Sequence, residues 1–405
     1  MNVESYDAVV IGGGPAGSTC ARELHRAGLH VTVLDRAHFP RDKVCAGWIT
    51  PAVITLLDLD VDDYRRGRVF QPITAFRTAL LTGSARDTAV RPDLETRYPT
   101  PVSFGIRRYE FDDYLLRRCG ADLRCGEAVS SLRRRDDGWL INGTIATPVL
   151  VGAGGHFCPA ARWLARESAS RTGRGEERRP VVAAIEMEVP LTEEQLAQTP
   201  EPPVLRFYDD LSGYGWSFRK GTFLNVGLGR RDARELPRQA RCLLDTLVSE
   251  QLVPEGLTAP LRGHAYLLAN SSPRGPIGDG LLLAGDAAGL ADAHSGEGIR
   301  PAIESGLLAA ATILATNVPY DRTQLEPYRQ TLRHRFGTGT TGTGLRPRVL
   351  PRWLVRSLAN GVMRSPWLTR HLVLDRWFLG RHRPALDTHG GARLSGGRLV
   401  MRSTR

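Results

Sequence analysis

The sequence predicts an α/β fold, with a nucleotide-binding domain, an inserted antiparallel-sheet domain and a helical C-terminal tail. Three observations predict it. A glycine-rich turn, Gly12–Gly17, follows the first apolar run. Strand-like stretches with short connections lie at Val181–Val189, Val204–Tyr208, Tyr214–Lys220 and Thr222–Gly229. Residues 345–405 place tryptophan and leucine near helical spacing among 13 arginines.

The N-terminal unit is a strand, a turn, a helix and a second strand. Ala8–Ile11 is a short apolar run typical of a buried parallel strand. A helix is predicted from Ser18 to Ala27, and the next strand ends in an acid. Glycines in this turn let backbone amides approach a pyrophosphate, and the acid can accept hydrogen bonds from a ribose. The unit therefore predicts a Rossmann-like dinucleotide site made by Gly12, Gly14, Pro15, Ala16, Gly17 and Asp35.

A second candidate segment lies far along the chain. Gly280–Gly289 is a predicted strand that runs into a turn containing Gly285 and Asp286. A helix rich in small residues follows from about Gly298 to Ala315. Small residues allow such a helix to pack closely on a sheet or a cofactor.

Together the G-x-G-P-A-G and G-D-A-A-G…G-E-G-I segments resemble the FAD-dependent oxidoreductases of the para-hydroxybenzoate hydroxylase fold, over roughly residues 5–335. The resemblance implies that Asp286 contacts the ribityl chain of FAD and that amides around Gly296 to Ile299 lie beside the flavin pyrimidine. Arg108 matches the arginine of the family's R-x-x-F-D-x-x-L pattern and is either an FAD contact or part of a surface ion pair. The further FAD contacts implied are Arg36, Arg41, Cys45, Ala46, Gly285 and Gly298.

The scattered FAD segments predict a discontinuous cofactor domain. We assign residues 1–75, 102–180 and 265–336 to the FAD-binding domain and residues 76–101 and 181–264 to the substrate-binding domain. The glycine- and threonine-rich stretch 337–344 is a predicted linker, and residues 345–405 form the basic helical tail.

Two segments resemble geranylgeranyl reductases, one branch of this fold. The sequence Lys43-Val44-Cys45-Ala46-Gly47 resembles that family's K-x-C-G-G loop, which lies against the flavin. Tyr214–Lys220 and Asn225–Gly229 resemble its Y-x-W-x-F-P-K…N-V-G-x-G hairpin. Ala46 stands where the family has glycine, and Arg219 where it has proline. The resemblance implies that reduced FAD reduces isolated C=C bonds of a polyprenyl chain.

Cys45 is the catalytic candidate: it either orients the alkene or relays a proton beside the flavin, or is a small buried apolar residue. Trp48, Tyr214 and Trp216 are candidate substrate-binding residues, although core packing explains such aromatics equally well. His294 is either a proton donor or a loop histidine without a chemical role.

The function expected first is FAD-dependent reduction of C=C bonds in a polyprenyl or related lipid. The alternative is an FAD-dependent monooxygenase or tailoring oxidase acting on a small hydrophobic molecule. A non-catalytic prenyl-binding carrier is disfavoured, because a carrier needs no flavin. Gly154 stands where flavin hydroxylases have an aspartate that supports the contact to NAD(P)H. The electron donor therefore stays open between NAD(P)H, a ferredoxin and a quinol.

The tail carries the whole net charge of +11, because residues 345–405 contain 13 arginines and two acids. Its pattern fits either a helix on an anionic membrane surface or helices packed on the core. Nucleic acid is not an expected partner.

The sequence has no apolar run of 18 residues and no signal-peptide pattern, so we expect a cytoplasmic protein, either free or on the inner face of the membrane. Six cysteines without zinc spacing predict no metal site.

Overall fold

The structure is a computed structural model. It describes residues 2–84, 87–90, 93–172, 181–230, 235–268, 275–292, 295–337, 351–384, 386, 393–395 and 398–400. His294 and all of the predicted linker except Gly337 lie outside these residues.

A central sheet of mostly parallel strands organises the fold. Within the described residues its strands are, in spatial order, Asp122–Cys125, Val31–Asp35, Ala8–Ile11, Val149–Gly152, Leu281–Leu283 and Ile277–Gly278, of which the last pairs antiparallel. The middle strands are buried along almost their whole length, as apolar parallel strands covered on both faces are. Their carboxyl ends bring Gly12, Asp35 and Ala153 to one edge of the sheet.

Helices cover this sheet. Pro15–Arg26 packs against Ile299–Ala315, whose small residues allow close contact. The structure thus confirms the helix after the glycine-rich turn and the late helix, and the first begins at Pro15 rather than Ser18. Further helices among the described residues are Pro51–Leu57, Val61–Tyr64, Arg108–Arg117, Pro159–Thr172 and Glu326–Phe336, with a 3₁₀ turn at Gly285–Ala287.

A second large sheet, here called the roof sheet, lies over the carboxyl edge of the central sheet. Its strands are, in spatial order, Arg262–Leu267, Val181–Pro190, Phe223–Arg230, Gly213–Lys220, Val204–Tyr208, Ala75–Ser84 and Asp87–Val90, with Leu94–Arg97 also pairing with Ala75–Ser84. The four strands predicted between residues 181 and 229 are confirmed. One pair differs from the antiparallel expectation: Val204–Tyr208 runs parallel to Ala75–Ser84, which joins from the first third of the chain.

One face of the roof sheet packs on helix Leu236–Ser249 through Ile185, Met187, Val189 and their neighbours. A short helix, Glu193–Gln198, follows the second strand of the roof sheet.

Two smaller sheets complete the body of the fold. They consist of Glu4–Ser5, Ile145–Thr147, Gly138–Ile141 and Leu132–Arg135, and of Trp48–Ile49, Ser103–Gly105 and Gln71–Ile73. The division of the chain into domains at the boundaries given above stays a prediction.

The tail packs on the roof sheet. It forms helices Arg352–Arg364 and Pro366–Leu368, a π-helix Thr369–Phe378, and short strands Arg393–Ser395 and Arg398–Val400. Ala359, Leu374 and Phe378 are buried in one apolar cluster with Phe76, Phe207 and Trp216 of the roof sheet. Of the two arrangements left open by the sequence, packing on the core is therefore present. No helix in the described part of the chain is both long and apolar enough to cross a membrane.

Leu374→Ala tests the docking of the tail. The Leu374 side chain is fully buried, so we expect the variant to lower the free energy of unfolding by about 2–5 kcal/mol, measured by chemical denaturation. Leu372→Ala, two residues away, is the matched control, because 43% of Leu372 is exposed and its loss should cost less than about 0.5 kcal/mol. Equal losses in the two variants would contradict the docking described here.

Candidate cofactor and substrate site

A single cavity of about 770 Å³ lies between the central sheet, the roof sheet and the tail. Every site residue predicted from the sequence lines it, with the exception of Gly17. They are Gly12, Gly14, Pro15, Ala16, Asp35, Arg36, Arg41, Cys45, Ala46, Trp48, Arg108, Tyr214, Trp216, Gly285, Asp286, Gly296, Gly298 and Ile299. The structure therefore brings residues from both ends of the chain to one place.

The first end of the cavity is built by the glycine-rich turn. Gly12 has φ of +106°, and a Cβ atom there would lie 2.5 Å from the Ala153 carbonyl oxygen. A Cβ atom at Gly17 would lie 1.9 Å from the Gly12 carbonyl oxygen, so Gly17 acts by letting the helix approach the strand. Asp35 accepts hydrogen bonds from the Gly13 amide at 2.8 Å and the Ala37 amide at 2.9 Å, which fixes its carboxylate at this edge.

Two arginines lie further along the cavity. Arg108 donates two hydrogen bonds of 2.7 Å to Asp112, whose side chain is fully buried. Burial opposes the charge of Arg108, but Asp112 and Cys45 beside it raise the pKa of the guanidinium. Arg41 lies 3.2 Å from the same carboxylate, and its Nη2 lies 3.5 Å from where a Cβ of Gly14 would be. Positive charge thus stands over the N-terminus of helix Pro15–Arg26, where free amides also favour an anion.

Asp286 lies in a charged cluster deeper in the cavity. His264 Nε2 is 3.7 Å from Asp286 Oδ2 and 2.7 Å from Lys43 Nζ. Burial tends to raise the pKa of Asp286, but His264 and Lys43 hold it below its ordinary value. Burial lowers the pKa of Lys43, and Asp286 opposes that change. The carboxylate is therefore ionised at neutral pH.

The Lys43–Gly47 loop crosses from the central sheet to the roof sheet. The Cys45 amide donates a 2.5 Å hydrogen bond to Glu186, and the Ala46 carbonyl accepts one of 3.0 Å from Lys220. Lys220 also pairs with Glu188, which accepts a 2.8 Å bond from Arg107. The Cys45 thiol is held inside the cavity by this loop.

Aromatic side chains form the wall beyond Cys45. Trp216 donates to Asn225 Oδ1 at 2.7 Å, and the Tyr214 hydroxyl donates to the Ser295 carbonyl at 2.7 Å. Trp48 stacks on Phe218 with ring centroids 4.5 Å apart and meets Phe378 edge-on at 5.1 Å. These residues both line the cavity and pack in the core, so the two interpretations left open by the sequence are not exclusive.

Several residues of the site escape the sequence analysis. Trp377, Phe378 and Leu379 of the tail close the cavity, and Glu186, His264 and Tyr266 line it from the roof sheet. The Trp-Phe-Leu run in the tail is a local signal that could have been followed. No local sequence signal points to His264 or Glu186, because their hydrogen-bond partners lie 221 and 141 residues away along the chain.

Comparisons with known proteins give the family. The FAD-dependent oxidoreductase model DAO matches residues 7–97. A menaquinone reductase of Mycolicibacterium smegmatis is 31% identical, with 78% of each chain covered. A geranylgeranyl diphosphate reductase of Rhodobacter capsulatus is 28% identical over 76% of this chain and 75% of its own. A geranylgeranyl bacteriochlorophyll reductase-like structure from Thermoplasma acidophilum superposes with a TM-score of 0.69 at 20% identity, covering 90% of this chain and 92% of its own.

The chain belongs to the geranylgeranyl reductase family of FAD-dependent oxidoreductases. The residues present fit FAD. A carboxylate suits the ribose end, free helix amides with two arginines suit the pyrophosphate, and an ionised Asp286 suits the ribityl hydroxyls. The turn Gly296–Ile299 at the start of the late helix suits the ring. The individual contacts of these residues with FAD stay predictions. No cluster of metal-ligating side chains occurs among the described residues.

Asp286→Asn tests the assignment of the ribityl contact. The change removes an ionised acceptor and leaves Lys43 buried beside His264 without its carboxylate. We expect the affinity of the apoprotein for FAD to fall about 10- to 100-fold, since a hydrogen bond to a charged group contributes roughly 1.5–3 kcal/mol. Flavin fluorescence titration measures it, with Asp245→Asn on the exposed side of helix Leu236–Ser249 as control. FAD affinity unchanged in Asp286→Asn would refute the assignment.

Proposed function

We propose that this protein reduces C=C bonds in the polyprenyl chain of a lipid. The observation that carries the proposal is the apolar part of the cavity wall. Trp48, Trp216, Phe378 and Leu379 line it together. An uncharged chain can be held only by burial, which contributes about 25 cal/mol per Å² of apolar surface.

The names of the relatives support this substrate class. Menaquinone and geranylgeranyl diphosphate differ in their head groups but share an unsaturated polyprenyl chain. The part of the substrate that these two have in common is also the part that an aromatic-lined cavity can bind.

The chemistry divides between cofactor and protein. Reduced FAD, when bound, supplies a hydride. The chain's own residues hold the alkene, exclude water from it and provide the proton for the second carbon. The Lys43–Gly47 loop and the roof sheet keep the alkene-binding wall facing the cofactor-binding edge of the central sheet.

An anaerobic single-turnover experiment tests the function. The flavin is reduced with a stoichiometric amount of dithionite, and geranylgeranyl diphosphate, which has no quinone ring to accept electrons, is added while flavin absorbance is followed. We expect reoxidation without oxygen and a product heavier by two hydrogens for each reduced bond, seen by mass spectrometry. Reoxidation only after oxygen is admitted, with one oxygen gained by the lipid, would support the monooxygenase alternative and contradict the proposal.

We further propose that the tail binds an anionic membrane surface, where such lipids reside. In the described part of the chain, the tail exposes Trp353, Leu358, Trp367 and Leu372, with Trp353 and Trp367 more than 60% exposed. Thirteen arginines against two acids make residues 345–405 complementary to anionic headgroups. The π-helix exposes Leu372 and places Phe378 in the cavity wall, so one element connects this surface with the substrate site.

A double variant tests membrane binding. Trp353→Ala with Trp367→Ala should lower sedimentation with phosphatidylglycerol-containing vesicles at least about tenfold, because burial of even roughly 60 Å² of the two exposed rings, at about 25 cal/mol per Å², contributes about 1.5 kcal/mol to binding. Leu314→Ala with Val318→Ala removes exposed apolar residues elsewhere and is the control. Equal sedimentation of both double variants, or binding indifferent to added salt, would contradict the proposal.

A further inference from the structure

Glu186 is a buried acid in the wall of the cavity. It lies in the middle of strand Val181–Pro190 and is only 5% exposed. Its Oε1 accepts the 2.5 Å hydrogen bond from the Cys45 amide. Gly227 lies opposite Glu186 on the neighbouring strand, and its lack of a side chain leaves room for both Glu186 and Trp216. A Cβ atom there would lie 2.4 Å from the Trp216 ring and 2.8 Å from the Glu186 Cβ. Glu186 and Trp216 therefore lie side by side on the face that meets the Lys43–Gly47 loop.

The second carboxyl oxygen of Glu186 has no hydrogen bond of good geometry within the described residues, although it is buried. The Asn225 side-chain nitrogen also lacks one and lies close enough to Glu186 to lower the pKa of its carboxyl. A buried polar atom left without a partner costs stability, so its retention needs an explanation. A protonated carboxyl whose hydrogen is available to a bound molecule is such an explanation.

The charged groups around Glu186 leave it without a dedicated cation. Lys220, on strand Gly213–Lys220, is committed to Glu188 and the Ala46 carbonyl. Arg262, paired with Glu186 in register on the outer strand, forms an ion pair with Asp42. Burial raises the pKa of Glu186, Glu188 adds to the rise, and Lys220, the Cys45 amide and Asn225 oppose it. The net result is a pKa of Glu186 above the ordinary value of a glutamate.

We propose that Glu186 is the acid that protonates the double bond. This inference rests on the proposed function. The π electron pair of the alkene forms a C–H bond with the Glu186 proton, and the other carbon takes the hydride available from reduced FAD. An external donor, a reduced nicotinamide or a ferredoxin, restores the two electrons, and the Glu186 carboxylate regains its proton from water.

Glu186 suits this role better than Cys45. A carboxylic acid is about four pKa units more acidic than a thiol before either is perturbed. An isolated alkene is a weak base, so the stronger acid is needed. Cys45 becomes a positioning residue, whose backbone amide holds Glu186 against the apolar wall.

The test compares Glu186→Gln with Glu194→Gln, an exposed acid eight residues away. Glutamine keeps the size of the side chain and cannot donate an acidic proton. We expect Glu186→Gln to lower kcat for lipid reduction about 10²- to 10⁴-fold with KM little changed. Reduction of the flavin by dithionite should be unaffected, and Glu186→Asp should restore part of the rate. Glu194→Gln should behave as wild type.

Two readouts need no turnover. Infrared spectra of the apoprotein should show the carbonyl stretch of a protonated carboxylic acid that disappears in Glu186→Gln and stays in Glu194→Gln.

The second readout is the pH dependence of stability. Because the folded-state pKa of Glu186 is raised, protonated Glu186 stabilises the fold below its unfolded pKa, and this stabilisation is lost as pH rises through the folded pKa. Over that window the free energy of unfolding should fall in wild type relative to Glu186→Gln.

The outcomes separate the two proposals. If wild type reduces the lipid and Glu186→Gln does so at the same rate, the proton-donor role is wrong and the proposed function stands. If wild type reduces no polyprenyl lipid, the proposed function fails and the role of Glu186 with it. An infrared spectrum unchanged in Glu186→Gln would also overturn the inference, whatever the rates.

Discussion

The contact between the Lys43–Gly47 loop and the roof sheet is the interaction on which the rest of the site depends. Three hydrogen bonds contribute to it: from the Cys45 amide to Glu186, from Lys220 to the Ala46 carbonyl, and between Lys43 and His264. The loop follows the second strand of the central sheet, so these bonds tie the cofactor edge of one sheet to the inner face of another. Without them the cavity would have no fixed wall opposite the place where FAD binds.

The cavity wall combines groups that match a flavin dinucleotide with groups that match an apolar substrate. Its polar part contains Asp35, Arg41, Arg108 and Asp286 with its two basic neighbours. Its aromatic part contains Trp48, Trp216 and Phe378, and Glu186 lies beside Trp216. The same cavity is therefore polar where a nucleotide must be held and apolar where an alkene must be kept from water.

The sequence predicts the parts of this site that depend on local geometry. The Gly12–Gly17 turn, the acid at Asp35 and the hairpin Gly213–Arg230 follow from short-range patterns, because glycine placement and alternation are local properties. Glu186 shows why the rest is missed. It alternates with Ile185 and Met187 as a solvent-facing residue would, yet its face lines a cavity, since the tail and the Lys43–Gly47 loop cover it. Contacts such as Lys43 with His264 join residues 221 positions apart, and no local pattern encodes them. The tail pattern leaves its packing on the core as one of two alternatives, and no local pattern shows that Leu374 and Phe378 contact the roof sheet.

The central claim is that one cavity holds FAD and a polyprenyl chain together. A crystal structure of the holoprotein with a saturated geranylgeranyl lipid, the expected product, tests it most directly. The account predicts the chain between Trp216, Phe378 and the isoalloxazine ring, with a formerly alkene carbon in van der Waals contact, about 4 Å, with the Glu186 carboxyl. A lipid bound elsewhere, or an isoalloxazine ring outside this cavity, would contradict the account.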